Sequence, residues 1–190
     1  MCIRDRVNYD IGAQGIAYFD YDIADYRNTG PDFKPWNLRW SYRNDGVDIE
    51  TSTDQSISDY HISHTKDGEF LKYTFNVLKN DDYTFKLLSS SENTSGVVSI
   101  RMNNEILIEN TELPITGDYN VWTETDLGTV NLSKGQNSIT LLIARGGSNL
   151  KMLKIESEAS LKGEGIYSHS ISPNPTSVSY THLTLPTTRL

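Results

Sequence analysis

Three groupings in this chain of 190 residues have the residue types and spacings that site chemistry demands. His61 and His64 stand three apart, and Asp48 and Glu50 stand two apart. The stretch from Tyr21 to Trp40 gathers Asp22, Asp25, Asn28, Trp36 and Trp40 around Gly30, Pro31 and Pro35. Two imidazoles can join in holding a metal. In an extended strand, however, residues three apart face opposite sides, and two ligands alone do not complete a shell. Two carboxylates can cleave a glycosidic bond, but only from opposite sides of a cleft, about 5–10 Å apart. Asp48 and Glu50, neighbours on one face of one strand, do not offer that arrangement. Asn93-Thr94-Ser95 fits a glycosylation acceptor, which matters only on a eukaryotic secretory route. The aromatic-rich stretch reads as a long loop, and long loops in compact domains are often functional. Its Trp36 and Trp40 either extend a binding platform or anchor the loop to the core.

The elements that must position such residues are strands. Leu71, Tyr73, Phe75 and Val77 alternate with Lys72, Thr74 and Asn76, the period of a half-buried strand over Phe70–Val77. Further strands are predicted at Ile16–Asp20, Val47–Glu50, Tyr83–Leu88, Val97–Met102, Glu105–Ile108, Trp122–Thr125, Thr129–Leu132, Ser138–Ala144 and Leu150–Ile155. Turn residues separate them: Lys79-Asn80-Asp81-Asp82, Asn103-Asn104, Ser133-Lys134-Gly135-Gln136-Asn137 and Gly146-Gly147-Ser148. No window sustains a helical period. Many short strands with regular turns predict an all-β domain, a jelly-roll β-sandwich of two antiparallel sheets. The 36% hydrophobic content suits strands that each turn one side to water. The net charge of −8, without a basic patch, argues against nucleic acid and anionic membranes as partners. No apolar run approaches the ~18 residues of a membrane-spanning helix. The single cysteine, Cys2, leaves the domain without a disulfide.

Gly68-Glu69-Phe70-Leu71-Lys72-Tyr73-Thr74-Phe75-Asn76-Val77 also resembles the Gly-Glu-Trp-Leu-x-Tyr-Thr-Val-x-Val signature of family 6 carbohydrate-binding modules, with Phe70 in place of the usual Trp. The family's other blocks follow in order. Tyr9–Asp20 and Tyr42-Arg43-Asn44-Asp45-Gly46-Val47-Asp48-Ile49-Glu50 lie upstream. Thr116-Gly117-Asp118-Tyr119-Asn120-Val121-Trp122 and Ser148-Asn149-Leu150 lie downstream. The resemblance covers residues 8 to 156 and implies a galactose-binding-like sandwich that binds sugar and performs no catalysis.

A sugar ring offers apolar C–H faces and a rim of hydroxyls, so aromatic platforms with nearby amides and carboxylates are the matching chemistry. The family's main site lies in the loops at one end of the sandwich. There two aromatics hold the ring above a basal Asn. The resemblance implies Tyr42 as one wall, Trp122 as the other with Tyr119 as its nearby alternative, Asn149 at the base, and Asp20 as a completing carboxylate. It also implies a second cleft on a sheet face, to which Glu69, Phe70 and Tyr73 would contribute. A structural calcium is a further implication. The place of the family's Glu-x-Glu here reads Asp5-Arg6-Val7, so the calcium site is incomplete, with Glu156 as the ligand that remains.

The two ends stand apart. Codons for Met1-Cys2-Ile3-Arg4-Asp5 can be written whose reverse complement encodes Val178-Ser179-Tyr180-Thr181-His182, an inverted repeat that resembles a transposon-end sequencing adapter. Residues 1–5 and 178–190 are therefore expected to be adapter-derived, 6–156 to be the sandwich, and 157–177 a polar linker. The linker ends in Ser172-Pro173-Asn174-Pro175-Thr176, which resembles the start of a type IX secretion sorting tail. The expected protein is a secreted or cell-surface module tethered to a glycoside hydrolase. Its expected ligands are β-glucan, xylan or agar-type galactan. The alternatives are a catalytic hydrolase fragment, or a structural or adhesive sandwich without a working sugar site.

Overall fold

A computed structural model describes residues 2–5, 8–21, 43, 46–53 and 60–157. Every regular element among them is a strand: β1 (Cys2–Asp5), β2 (Tyr18–Phe19), β3 (Ile49–Thr51), β4 (Tyr60–Ile62), β5 (Phe70–Val77), β6 (Asp81–Ser91), β7 (Val97–Met102), β8 (Glu105–Glu112), β9 (Asp118–Leu132), β10 (Gly135–Arg145) and β11 (Asn149–Ser157). They form two sheets with antiparallel pairing throughout. One runs β3-β4-β11-β6-β9, with β1 also pairing β11; the other runs β2-β5-β10-β7-β8. The all-β sandwich expected from the sequence is what forms.

Alternation builds the core. Leu71, Tyr73, Phe75 and Val77 of β5, Ile139, Leu141 and Ile143 of β10, and Val98 and Ile100 of β7 are all buried. They pack in one cluster with Phe85 and Leu87 of β6, Leu150, Leu153 and Ile155 of β11, and Ile49 and Ile62 of β3 and β4. Tyr73 is thus a core residue, 1% exposed. It cannot serve a cleft on the sheet's outer face, which at β5 belongs to Phe70, Lys72 and Thr74 instead.

Two local departures from the sequence reading have physical causes. The segments expected as Trp122–Thr125 and Thr129–Leu132 are one strand, β9, because Asp126-Leu127-Gly128 is a bulge and not a turn. Leu127 is the extra residue between the Phe85↔Gly128 and Lys86↔Asp126 pairs. Gly128 takes φ +136° and gives its N–H to Asp126 Oδ1 at 2.9 Å. The second departure is β1. Pairing with β4 covers β11 only at Leu150, which leaves its Met152–Ile155 backbone edge open, and Cys2–Asp5 pairs there. Backbone hydrogen bonding at a sheet edge places little demand on side chains.

Leu141 and Ile143 of β10 pair toward the same sandwich end as the start of β11. At that end converge Asp20 and Tyr21 after β2, Ser63–Glu69 between β4 and β5, Glu92–Gly96 after β6, Leu113–Gly117 before β9, and Gly146–Ser148 before β11. At the opposite end Asn103 and Asn104, with φ of +50° and +67°, make the β7–β8 hairpin turn. Both central residues with positive φ is the two-residue turn that prefers Asn-Gly. Asn104→Gly is expected to stabilise the domain by about 0.5–1 kcal/mol in urea unfolding. Removing residues 1–5 is expected to leave the same cooperative transition.

Candidate functional site

The Gly146-Gly147-Ser148 turn determines what stands next to what at the loop end. A Cβ on Gly146 would lie 2.0 Å from the Thr65 carbonyl oxygen, so only glycine allows the two backbones to meet. Gly147, at φ +96°, gives its N–H to Thr65 O at 3.0 Å. Gly146 gives its own to Asp67 Oδ1 at 2.8 Å, and the Thr65 hydroxyl donates to Ser148 O at 2.7 Å. On the far side the Ser148 hydroxyl accepts from Gly96 N–H at 3.1 Å, and Ser91 Oγ donates to Gly147 O at 3.2 Å. The residues just after β4 are thereby fixed against the first residue of β11, which is Asn149.

Asn149 is 7% exposed and pairs with Ser90 of β6. Its neighbour Leu150 points into the core, so alternation directs Asn149 to the outer face of the sheet. Glu50 of β3 and His61 of β4, each beside a core isoleucine, share that face and pair directly. His64 joins them by an unexpected route. The sequence reading took this stretch as extended, with His61 and His64 on opposite sides. β4 ends at Ile62, and His64 adopts the left-handed conformation, φ +49°. The chain turns back, and both imidazoles meet the same carboxylate. His64 Nε2 lies 3.2 Å from Glu50 Oε1, and His61 Nε2 lies 3.5 Å from Oε2.

Two residues expected at the site part company in β9. Ser89 pairs with Thr123 and Ser91 with Asp118, so Tyr119, Asn120, Val121 and Trp122 all stand opposite Ser90 alone. This wide bulge is pinned at both flanks. Ser90 Oγ donates to Tyr119 O at 2.7 Å, and Thr53, after the opposite edge strand β3, donates to Asn120 Oδ1 at 2.7 Å. Bulges of this kind re-aim side chains beside binding sites. Tyr119 is left 40% exposed at the loop end. Trp122 instead lies half-buried along the sheet. Its ring meets His61 edge-on at 5.3 Å, and Lys151 Nζ sits 5.0 Å from its centroid. β6 and β11 separate β9 from β4, a span of roughly 14 Å at normal strand spacing, so the indole must lie nearly flat across them. Lys151 is buried in the β11 bulge between Leu150 and Met152. The Trp122 Nε1 and His61 Nδ1 atoms are buried without a hydrogen-bond partner among the described residues.

Of the residues named from sequence, Asn149, Tyr119 and Trp122 therefore gather at the loop end of one sheet, with Trp122 as floor and Tyr119 as the exposed ring. Tyr42, Trp36 and Trp40 lie outside the described residues. Asp20 does not join the group. It follows β2 in the other sheet, is 4% exposed, and lines with Glu69, Val47 and Ile143 a cavity of about 10 Å³, the room of a single water. Glu69 there accepts from the backbone N–H groups of Tyr21 and Lys66. Phe19 and Phe70 stack at 6.3 Å on the other sheet, with Tyr21 edge-on to Phe19 at 4.9 Å. Glu156, expected as a calcium ligand, has Oε2 3.1 Å from Lys86 Nζ. Among the described residues no group of three or more His, Cys, Asp or Glu is arranged to hold a metal. Sequence reasoning noticed Glu50 and His64 but assigned them no role. Their convergence depends on one backbone dihedral that residue types do not announce.

The Glu50 carboxyl is held below the usual carboxylate range. The His61 hydrogen bond is the main cause. Burial opposes it, and the His64 charge adds to the lowering. A depressed folded-state value contributes stability that is present above the unfolded value and lost as pH falls through the folded one. Glu50→Gln is expected to cost about 1–2 kcal/mol at neutral pH, with a deficit that shrinks below about pH 4. Urea unfolding of both proteins across that range checks it.

Comparison with known proteins agrees with the fold. The chain shares 22% identity with the C-terminal family 6 module of LamC, a marine laminarinase from Zobellia galactanivorans (TM-score 0.53, covering 58% of this chain and 88% of that one). It shares 25% with the module CBM6cm-2 of Cellvibrio mixtus lichenase 5A, solved with cellotriose (TM-score 0.52, 59% and 87%). A β-1,3-glucan-binding module from Bacillus halodurans aligns over 82% of this chain and 95% of its own at 14% identity (TM-score 0.54). The comparison with curated proteins gives no match. A family model described as carbohydrate binding module (family 6) matches residues 40–157. Modules of that family are noncatalytic and bind carbohydrate, and this chain, matched over more than half its length, belongs to it.

Proposed function

We propose that the chain is the polysaccharide-binding module of a secreted glycoside hydrolase, and that it grips its glycan at the loop end between Tyr119 and His64, over Asn149. The observation that carries the reading is the strand order. Asn149 opens β11, and its two neighbours in the sheet are β4, which leads into His64, and β6, whose Ser90 holds the Tyr119 bulge. Two flat rings thus flank one amide. The side chain of His64 is 43% exposed and Tyr119 is 40% exposed, so both side chains reach solvent in part. Glu50 supplies the hydroxyl-reading carboxylate in place of Asp20.

The physical case is that sugar hydroxyls merely exchange one hydrogen bond for another on leaving water. Ring stacking and water exclusion must then provide much of the net affinity, on the order of 1 kcal/mol per aromatic. Neutral β-linked glycans suit an acidic chain: β-glucan first, with xylan and agar-type galactan as the wider set. The similar modules from Cellvibrio mixtus and Bacillus halodurans, described with cellotriose and as β-1,3-glucan-binding, support that order. A tethered module raises the local concentration of its enzyme on polymeric substrate. Secretion by a type IX route rests on Ser172–Thr176, which lies outside the described residues.

Tyr119→Ala and Asn149→Ala are expected to weaken binding to a β-1,3-gluco-oligosaccharide or cellotriose by roughly tenfold each while unfolding like the parent. Trp122→Ala is expected to lower stability by about 3 kcal/mol, because it removes the ring that covers the buried His61 and Lys151. Calorimetry and urea unfolding of the three variants check both halves. Parent-like binding by Tyr119→Ala and Asn149→Ala together contradicts the loop-end site.

A further inference from the structure

Three of the eight large apolar side chains that stand exposed among the described residues fall in one stretch of seven, residues 115–121. Ile115 is 53% exposed, Tyr119 40% and Val121 52%. Exposed apolar residues mark a binding surface when they adjoin, and not when they stand singly. Here a turn brings them together. Thr116 and Gly117 both give their N–H to Ser91 O, at 3.0 and 2.9 Å, and Gly117 takes φ +83°. The Thr116 hydroxyl accepts from Ser91 N–H at 3.0 Å and lies 2.8 Å from Asp118 O. The chain thus folds tightly from Ile115 to Tyr119, and the wide bulge opposite Ser90 carries it on to Val121.

Polar groups stand between these apolar side chains. Asp118 is exposed, and its Oδ1 accepts from the Asn120 backbone N–H at 2.6 Å and from the Asn120 side-chain amide at 3.1 Å. Among the described residues nothing bonds Asp118 Oδ2. Trp122 is turned onto the sheet, where it meets His61, and Val121 beside it is left to solvent. A carboxylate and an amide set between apolar faces match a sugar, which offers C–H faces rimmed by hydroxyls. They match a protein partner less well, because the core of a protein interface is depleted of charge. The turn and the bulge are held by their own hydrogen bonds, so a ligand has little to order on binding.

We propose that residues 115–121 form an outer subsite, in which Ile115 and Val121 cover the C–H faces of the sugar residues that follow the one at Tyr119, and the Asp118 carboxylate takes one of their hydroxyls. The inference rests on the loop-end site proposed above and defines its ligand: a run of several residues of a neutral polysaccharide, and not a single terminal sugar. β9 ends the strand order of its sheet, so a glycan that passes Tyr119 on that side crosses the sheet edge over this surface. Asp118 disfavours an acidic glycan there by like-charge repulsion. Aliphatic side chains contribute through the apolar area that they and the sugar remove from water. That contribution exists only when the ligand is long enough to reach them, so the signature of the subsite is a dependence on chain length.

The test is calorimetry of the intact chain, and of a double variant carrying Ile115→Ser and Val121→Ser, with the trisaccharide and the hexasaccharide of the β-1,3-glucan, cellulose and xylan series. The double variant is expected to bind the preferred hexasaccharide at least roughly threefold more weakly than the parent, and the trisaccharide as the parent does. Both positions are exposed, and urea unfolding should return the parent's midpoint. Methyl and ring NMR of the parent gives a second reading that needs no variant. The hexasaccharide should shift the Ile115 and Val121 methyls together with the Tyr119 ring. Parent-like hexasaccharide binding by the double variant, or methyls that stay in place while the Tyr119 ring moves, overturns the outer subsite and leaves the loop-end site standing. Equal weakening of both lengths also overturns it, because the two residues then act on the loop-end site itself. No binding of any probe by the parent overturns the loop-end site and the outer subsite together.

Discussion

The close approach of Gly146 to the Thr65 carbonyl is the contact on which the rest of the loop end depends. No side chain fits between the two backbones, and the hydrogen bonds around them join backbone groups to one another, to short hydroxyls and to the Asp67 carboxylate. The consequence is lateral placement. A turn from β10 to β11 and a turn from β4 to β5 become one unit, with Asn149 on one side of it and His64 on the other. Core packing of Leu150 against Ile62 continues the same alignment into the sandwich. An entropic cost of ordering long loops is thereby met once, by a shared network, for two segments that both carry residues of the proposed site.

Much of this was legible in the residues. The period-two alternation of β5 and β10, the Asn-Asn hairpin and the Gly-Gly-Ser-Asn turn each have a local physical cause, and each forms as read. Asn149 sits where a turn signal meets a strand, and the structure keeps it at the loop end. What the sequence concealed is irregular backbone. The β9 bulge sets four residues against Ser90, and so divides Tyr119 from Trp122 by direction and not by distance along the chain. An apolar-polar pattern read with strict period two cannot find such a break. His64 in the left-handed region is a similar case, since nothing in His-Ile-Ser-His announces a reversal. β4, three residues long and flanked by polar residues, lacks the length for a periodic signal.

The division of labour between the two aromatics of β9 follows from burial. A tryptophan laid across a sheet face excludes water from beneath the site and supports His61, but its faces are already in use. A tyrosine held out by a bulge keeps an exposed ring and costs the core nothing. Glu50 and its two imidazoles add a polar wall, and the partly buried Lys86–Glu156 and Lys154–Glu124 pairs lie farther along the sheet. The result, among the described residues, is a half-buried floor and a partly exposed rim, which suits a noncatalytic carbohydrate-binding module. Weak binding at one such site is sufficient when a tether supplies local concentration.

The central claim is that glycan is held at the loop end of the β3-β4-β11-β6-β9 sheet and not on the outer face of the other. Backbone and side-chain NMR shift mapping with the tightest-binding of the oligosaccharides tests it most directly. The account predicts that the largest perturbations fall on Glu50, His64, Ser90, Tyr119 and Asn149. Perturbations centred on Phe19, Tyr21, Phe70 and Lys72, with the loop-end residues unmoved, would contradict it.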